Sequence, residues 1–168
     1  KAEKRVFVAK DVIKQLKLRK YVASTGKYVD INKYQIPSDN ADIKSNFKQL
    51  HDCHTCAIGS CLLSITKQEN RVTFDEVNIV NNFNESKNIK KLLLDVFTPY
   101  QIGLIEIAFE GRYDERYDNY SRIVLGVTIL DRDVNKAIRF YDANHISDNN
   151  RLKAIMTNII KNKGTFKP

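Results

Sequence analysis

Apolar residues recur at helical spacing from the start of the chain. Ala9, Val12, Ile13 and Leu16 form one stripe, with Lys10, Lys14 and Lys17 outside it. Residues 4–19 therefore predict an amphipathic helix with a basic outer face. The pattern then shortens. Lys20-Tyr21-Val22 and Lys27-Tyr28-Val29 flank Ser24-Thr25-Gly26, and two β-favouring runs about a glycine turn predict a small hairpin near residues 20–31. Pro37 and the polar run from Ser38 to Asp42 read as a connection. Asp52 is placed to cap a helix from Cys53 to about Lys67, with Ile58, Cys61, Leu62 and Ile65 as its large apolar stripe. Thr73-Phe74-Asp75-Glu76 has capping-box spacing and predicts a short helix. Asn81, Asn82 and Asn84 predict a loop before a helix from Ser86 to Phe97.

Thr98-Pro99-Tyr100-Gln101 is strong punctuation. Thr98 can cap, Pro99 suits the first helical position, and Gln101 can reach back to the cap. Ile102, Ile105, Ala108 and Phe109 then form a buried face that Gly111 can end. Residues 112–122 read as a polar surface loop, and Ile123–Leu130 suits either a strand or a buried helical segment. Val134, Ala137, Ile138 and Tyr141 favour a helix after it. Leu152, Ile155, Met156, Ile159 and Ile160 mark a last helix, with Ser147 or Asp148 to cap it and Gly164 to end it. The expected fold is a mainly α-helical single domain spanning residues 1–168.

Composition narrows the class. The chain has 168 residues, 42% hydrophobic and 29% charged, with 6 Gly and 3 Pro, which excludes collagen-like and largely disordered chains. The apolar run Ile123–Leu130 falls far short of the roughly 20 residues of a membrane span, so no membrane partner is expected. The first residues are charged and show no apolar leader segment. Cys53, Cys56 and Cys61 lie within nine residues, unlike a secreted disulfide framework, so a cytoplasmic setting is expected. The net charge is +8, of which residues 1–20 carry +6 and residues 151–168 carry +5, leaving −3 for the middle. If the two ends fold side by side, they make one basic face.

The densest candidate chemistry is His51-Asp52-Cys53-His54-Thr55-Cys56 with Cys61. His51, Cys53, His54 and Cys56 are candidate zinc ligands, although a second Cys/His pair is absent. Cys53 or Cys56 at a helix N-terminus, with His145 from a later element, is a candidate nucleophile. The third reading is packing, because Cys56, Ala57, Gly59 and Ser60 are small and free cysteines are commonly buried. Packing is preferred, and no cofactor is expected. Glu106 within an apolar face is a candidate acid or base, with pairing to a Lys or Arg as the plainer alternative. Lys10, Lys14, Lys17, Arg19, Lys20, Lys153, Lys161 and Lys163 are candidate nucleic-acid contacts, with Tyr21, Tyr28 and Tyr34 as stacking surfaces.

Cys53-His54-Thr55-Cys56-Ala57-Ile58-Gly59-Ser60 resembles the Cys-Ala-x-Gly-Ala/Ser helix of small uncharacterised bacteriophage and bacterial proteins. Arg151-Leu152, Ile155-Met156, Asn158-Ile159-Ile160, Asn162, Gly164, Phe166 and Pro168 resemble the C-terminal ending of the same proteins. The resemblance implies a phage or mobile-element setting and brings no catalytic residue with it. The expected function is a non-enzymatic phage-type accessory protein that binds a phage or host protein in the host cytoplasm. Virion association and a homo-oligomer are both compatible with this. The alternative is a nucleic-acid-binding protein using the basic terminal helices, and the third is a cysteine- or zinc-dependent enzyme.

Overall fold

The computed structural model describes residues 1–36, 38, 41–68, 72–78, 86–112 and 126–168. Among them the chain is mainly helical: α1 (Ala2–Lys17), α2 (Ile43–Asn46), α3 (Ala57–Thr66), α4 (Phe74–Asn78), α5 (Lys87–Val96), α6 (Pro99–Glu110), α7 (Asp131–Ala143) and α8 (Asp148–Lys161). Three short strands, β1 (Tyr21–Ala23), β2 (Val29–Asp30) and β3 (Cys53–Thr55), complete it. The predicted connection at Pro37, the asparagine loop at 81–84 and most of 112–125 fall outside the described residues; Gly126–Leu130 carries no regular secondary structure.

α3 is the central element, with all ten residues buried. α1, α5 and α6 pack around it, while α1 lies along α8 and α6 along α7. One apolar cluster runs from Val8 through Ile58, Leu62, Phe109 and Ile155 to Phe166. No single helix among the described residues is long and apolar enough to cross a membrane; α5 and α6 reach that length together only across a 94° bend.

Local chemistry sets most boundaries. The Ser86 hydroxyl accepts from Ile89 N, Thr98 Oγ1 from Gln101 N and Ser147 Oγ from Asn150 N, each satisfying an orphan amide of a helix start. Thr73 and Glu76 form the reciprocal capping box, with Thr73 N donating to Glu76 Oε2 at 3.0 Å and Glu76 N to Thr73 Oγ1 at 3.3 Å. Gly111 ends α6 at φ 68°. Gln101 does not reach back to its cap. Its side chain instead pairs with the Phe166 backbone, accepting from N at 2.6 Å and donating to O at 3.2 Å, which ties the C-terminal tail to α6. Gly164 is required twice, by φ 90° and because an added Cβ would lie 2.4 Å from the Ala2 carbonyl oxygen.

The hairpin is corrected. β1 and β2 fall where expected but do not pair with each other; β3 lies between them, parallel to β1 and antiparallel to β2. Residues 24–28 therefore span two inter-strand spacings, roughly 9–10 Å. Carboxylates and an amide from elsewhere hold them: Asp148 accepts from Thr25 N, Asn149 from Ala23 N and Glu110 from Gly26 N.

The helix expected from Cys53 is corrected too. Asp52 adopts φ 50° and donates its amide to the Arg19 carbonyl at 2.9 Å, while Cys53 N donates to Lys20 O at 2.8 Å. These bonds hold 53–55 extended. The helix begins at Ala57, with Cys56 as its cap and Cys56 Sγ accepting from Gly59 N at 3.4 Å. The small residues of α3 admit backbone here. A Cβ on Gly59 would lie 1.7 Å from the Tyr28 carbonyl oxygen and 2.4 Å from Thr55 Oγ1.

Candidate functional site

The Cys/His segment divides along the period of a strand. Successive β3 side chains point to opposite faces, so Cys53 and Thr55 are buried while His54 is exposed. His51 is exposed on a turn beside Asp52, with Nδ1 3.3 Å from Asp52 Oδ2 and 3.2 Å from Gln35 Nε2. Both histidines line a shallow surface cavity with Asp30, Asn32, Gln35 and Asp52. The thiols are on the other side, in the core. The four candidate ligands therefore do not converge, and among the described residues no group of three or more His, Cys, Asp or Glu could hold a metal ion.

The thiols are also disarmed. Cys53, Cys56 and Cys61 are all buried and unpaired with one another. Burial pushes the Cys53 thiol up to about 12, against a smaller opposing pull from the Lys20 ammonium. Burial pushes Cys56 up to about 12 as well, outweighing the Gly59 amide at the helix start, and Cys61 is raised by burial. A thiolate is the nucleophile in cysteine chemistry, and here the neutral thiol dominates. His145 is exposed in the turn after α7, where its Nδ1 meets the Asp142 carbonyl. Glu106 is half-buried on α6, near enough to disfavour a Cys56 thiolate.

The lysines sort differently from a uniform basic face. Lys20 turns inward, donating to the carbonyls of Phe47, Lys48 and Leu50 at 3.1, 2.8 and 2.8 Å. Burial lowers its pKa. Arg151, read in the sequence as part of the basic C-terminus, is 2% exposed. Its guanidinium lies 5.0 Å from the Phe109 ring centroid and 4.5 Å from that of Tyr141, donates to the Phe109 carbonyl at 2.6 Å and meets Asp148 at 2.5 Å. It is a structural pin between α6, α7 and α8. Arg151 stands four residues before Ile155 and eight before Ile159, so helical spacing puts it at the edge of the buried stripe and only its charge argues for the surface.

Two exposed basic surfaces stand out among the described residues. On α1, Lys10, Lys14 and Lys17 point outward, with Arg19 exposed just beyond. At the two ends of this row of lysines stand Phe7, 52% exposed, and Leu18, 57% exposed. Positions 7, 10, 14, 17 and 18 share one helical face. Of the two acids in α1, Asp11 is buried against the Lys67 ammonium; Glu3 is exposed. Where α1 meets α8, Lys10 and Lys163 flank a shallow groove with Val6 and Ile160. The condition for a shared basic edge, that the two ends lie side by side, is met where α1 packs along α8. Lys153 and Lys161 belong to another surface, a groove between α7 and α8.

No family model, curated protein or solved structure matches this chain; its functional reading rests on its own residues.

Proposed function

We propose that this chain is a non-enzymatic accessory protein of the phage and bacterial kind it resembles. It acts by binding an acidic protein partner, of phage or host, through the outer face of α1. The carrying observation is the exposure of Phe7 and Leu18 on either side of Lys10, Lys14 and Lys17 on one helix face. Aromatic and aliphatic anchors beside charged residues are the composition of a protein interface. The buried, high-pKa thiols support the non-enzymatic part of the reading.

A photocrosslinking residue in place of Phe7, in the producing cell, tests this. The expected result is a defined protein adduct that disappears when Lys10, Lys14 and Lys17 are changed to Glu. The same crosslinker at exposed Lys44, on α2, serves as the reference. No adduct at position 7 beyond that reference contradicts the proposal.

A further inference from the structure

We infer that the groove between α7 and α8 is a binding site for single-stranded nucleic acid, separate from the α1 face. The groove is open, encloses about 380 Å3, and is lined by Phe140 and Asn144 from α7 and its end, and by Asn150, Lys153, Thr157 and Lys161 along α8. The α8 residues recur at i, i+3, i+7 and i+11. They form one stripe about 16 Å long at 1.5 Å per residue, with the two lysines about 12 Å apart along the axis.

Its charge has one sign. No carboxylate lines the groove. Asp148, the nearest acid in α8, is committed to Arg151 and the Thr25 amide. Lys153 and Lys161 are exposed and, among the described residues, in no ion pair. Two ammonium groups spaced along a concave track suit non-adjacent phosphates of one extended strand.

The amides set the ligand class. Asn144 Nδ2 donates to the Phe140 carbonyl at 2.8 Å, and Asn162 Nδ2 to the Asn158 carbonyl at 2.9 Å. Each leaves its Oδ1 as an acceptor in the groove wall. The Asn150 side chain has no bond to any described residue, so it offers a donor and an acceptor together. A carboxylate side chain calls only for donors. A nucleic-acid base presents both donors and acceptors on its edges, which an asparagine amide can match. Those edges are free in a single strand, where bases splay out of a stack. A duplex presents a convex rod, for which a protruding element is the fitting shape.

Fluorescence anisotropy with a labelled mixed-sequence single-stranded 12-mer, as DNA and as RNA, tests this on the full chain at low salt. Binding of at least one of the two is expected, with log affinity falling against log salt at a slope of about −1.4, the value for two phosphate contacts on a single strand. K153Q/K161Q should weaken binding about tenfold or more and flatten the slope. K10Q/K14Q/K17Q should leave it unchanged. N150A should weaken the 12-mer but not poly-glutamate, which separates edge recognition from general attraction to an anion. Absence of binding to both 12-mers overturns the inference. So does loss on the α1 triple variant but not on the α8 pair, or equal binding of duplex, single strand and poly-glutamate. None of these results bears on the protein adduct at position 7, so the two proposals fail separately.

Discussion

α1 and α8 pack side by side and each presents lysines on an outward face, yet the two faces differ in what accompanies the lysines. On α1 the row of lysines is flanked by exposed Phe7 and Leu18; on α8 the lysines alternate with Asn150 and Thr157. Apolar anchors reward burial against a shaped apolar surface, since removing apolar area from water contributes roughly 25 cal/mol per Å2. Amides and hydroxyls give little on burial unless every donor and acceptor is matched. The lesson is that net charge sets only the sign of a partner, and the neutral residues between the charges set its class. A strip of lysines by itself would have left the two faces equivalent.

The comparison assumes that neither face does covalent chemistry, and the thiols give the largest expected effect. Cys53 and Cys56 titrate near 12, against 9.0 for an ordinary thiol. Three pH units of lost acidity should slow native-state alkylation about a thousandfold relative to a free thiol at pH 8. Labelling followed by intact mass should show no modified cysteine until the protein is unfolded, when all three react. Rapid native labelling of a single cysteine would return the enzyme reading to consideration.

The two faces also share one scaffold. Ile159 is fully buried on α8, beneath the contact with α1. Ile159→Ala should cost about 2–5 kcal/mol, read as a lower urea midpoint, and should weaken both binding activities together. Leu18→Ser should change stability by no more than about 0.5 kcal/mol, as for a surface site, while weakening the adduct at position 7 alone. Equal loss of both activities in that variant would mean the two faces act as one.

The smallest effect concerns the turn that α6 and α8 hold jointly. Burial raises the pKa of Glu110, against the opposing Gly26 amide that donates to it. The folded state therefore holds the Glu110 proton more tightly than the unfolded chain does. Its contribution is fully present below the unfolded carboxyl pKa and is lost as pH rises through the raised folded value. Glu110→Gln keeps an acceptor for Gly26 and removes that titration. Urea titrations across this interval should show a shallower decline for the variant; an unchanged pH profile would show that another group governs it.

How much was legible in the sequence follows from the length of each pattern. α8 repeats its apolar stripe over several turns, so Leu152 to Ile160 announce both the helix and its buried side, as Thr98-Pro99 announces the start of α6. β3 has three residues, too few for alternation to stand out against the helical run that follows, and Asp52 imitates a cap. Its place was decided by distant backbone, the carbonyls of Arg19 and Lys20. Their charge hid Lys20 and Arg151. Each is read as surface charge until tertiary structure supplies three carbonyls for one and two aromatic rings for the other. The basic ends were legible as charge. Their division into two surfaces was not, because it depends on which neighbour, α1 or α7, faces each side of α8.

The most direct measurement places the same photocrosslinker at position 7 in one variant and at position 150 in another, in the producing cell, and digests each adduct with protease or nuclease. The expected result is a protease-sensitive, nuclease-resistant adduct at 7 and a nuclease-sensitive adduct at 150. A nuclease-sensitive adduct at 7, or no protein adduct there, would contradict the assignment of the α1 face to a protein partner.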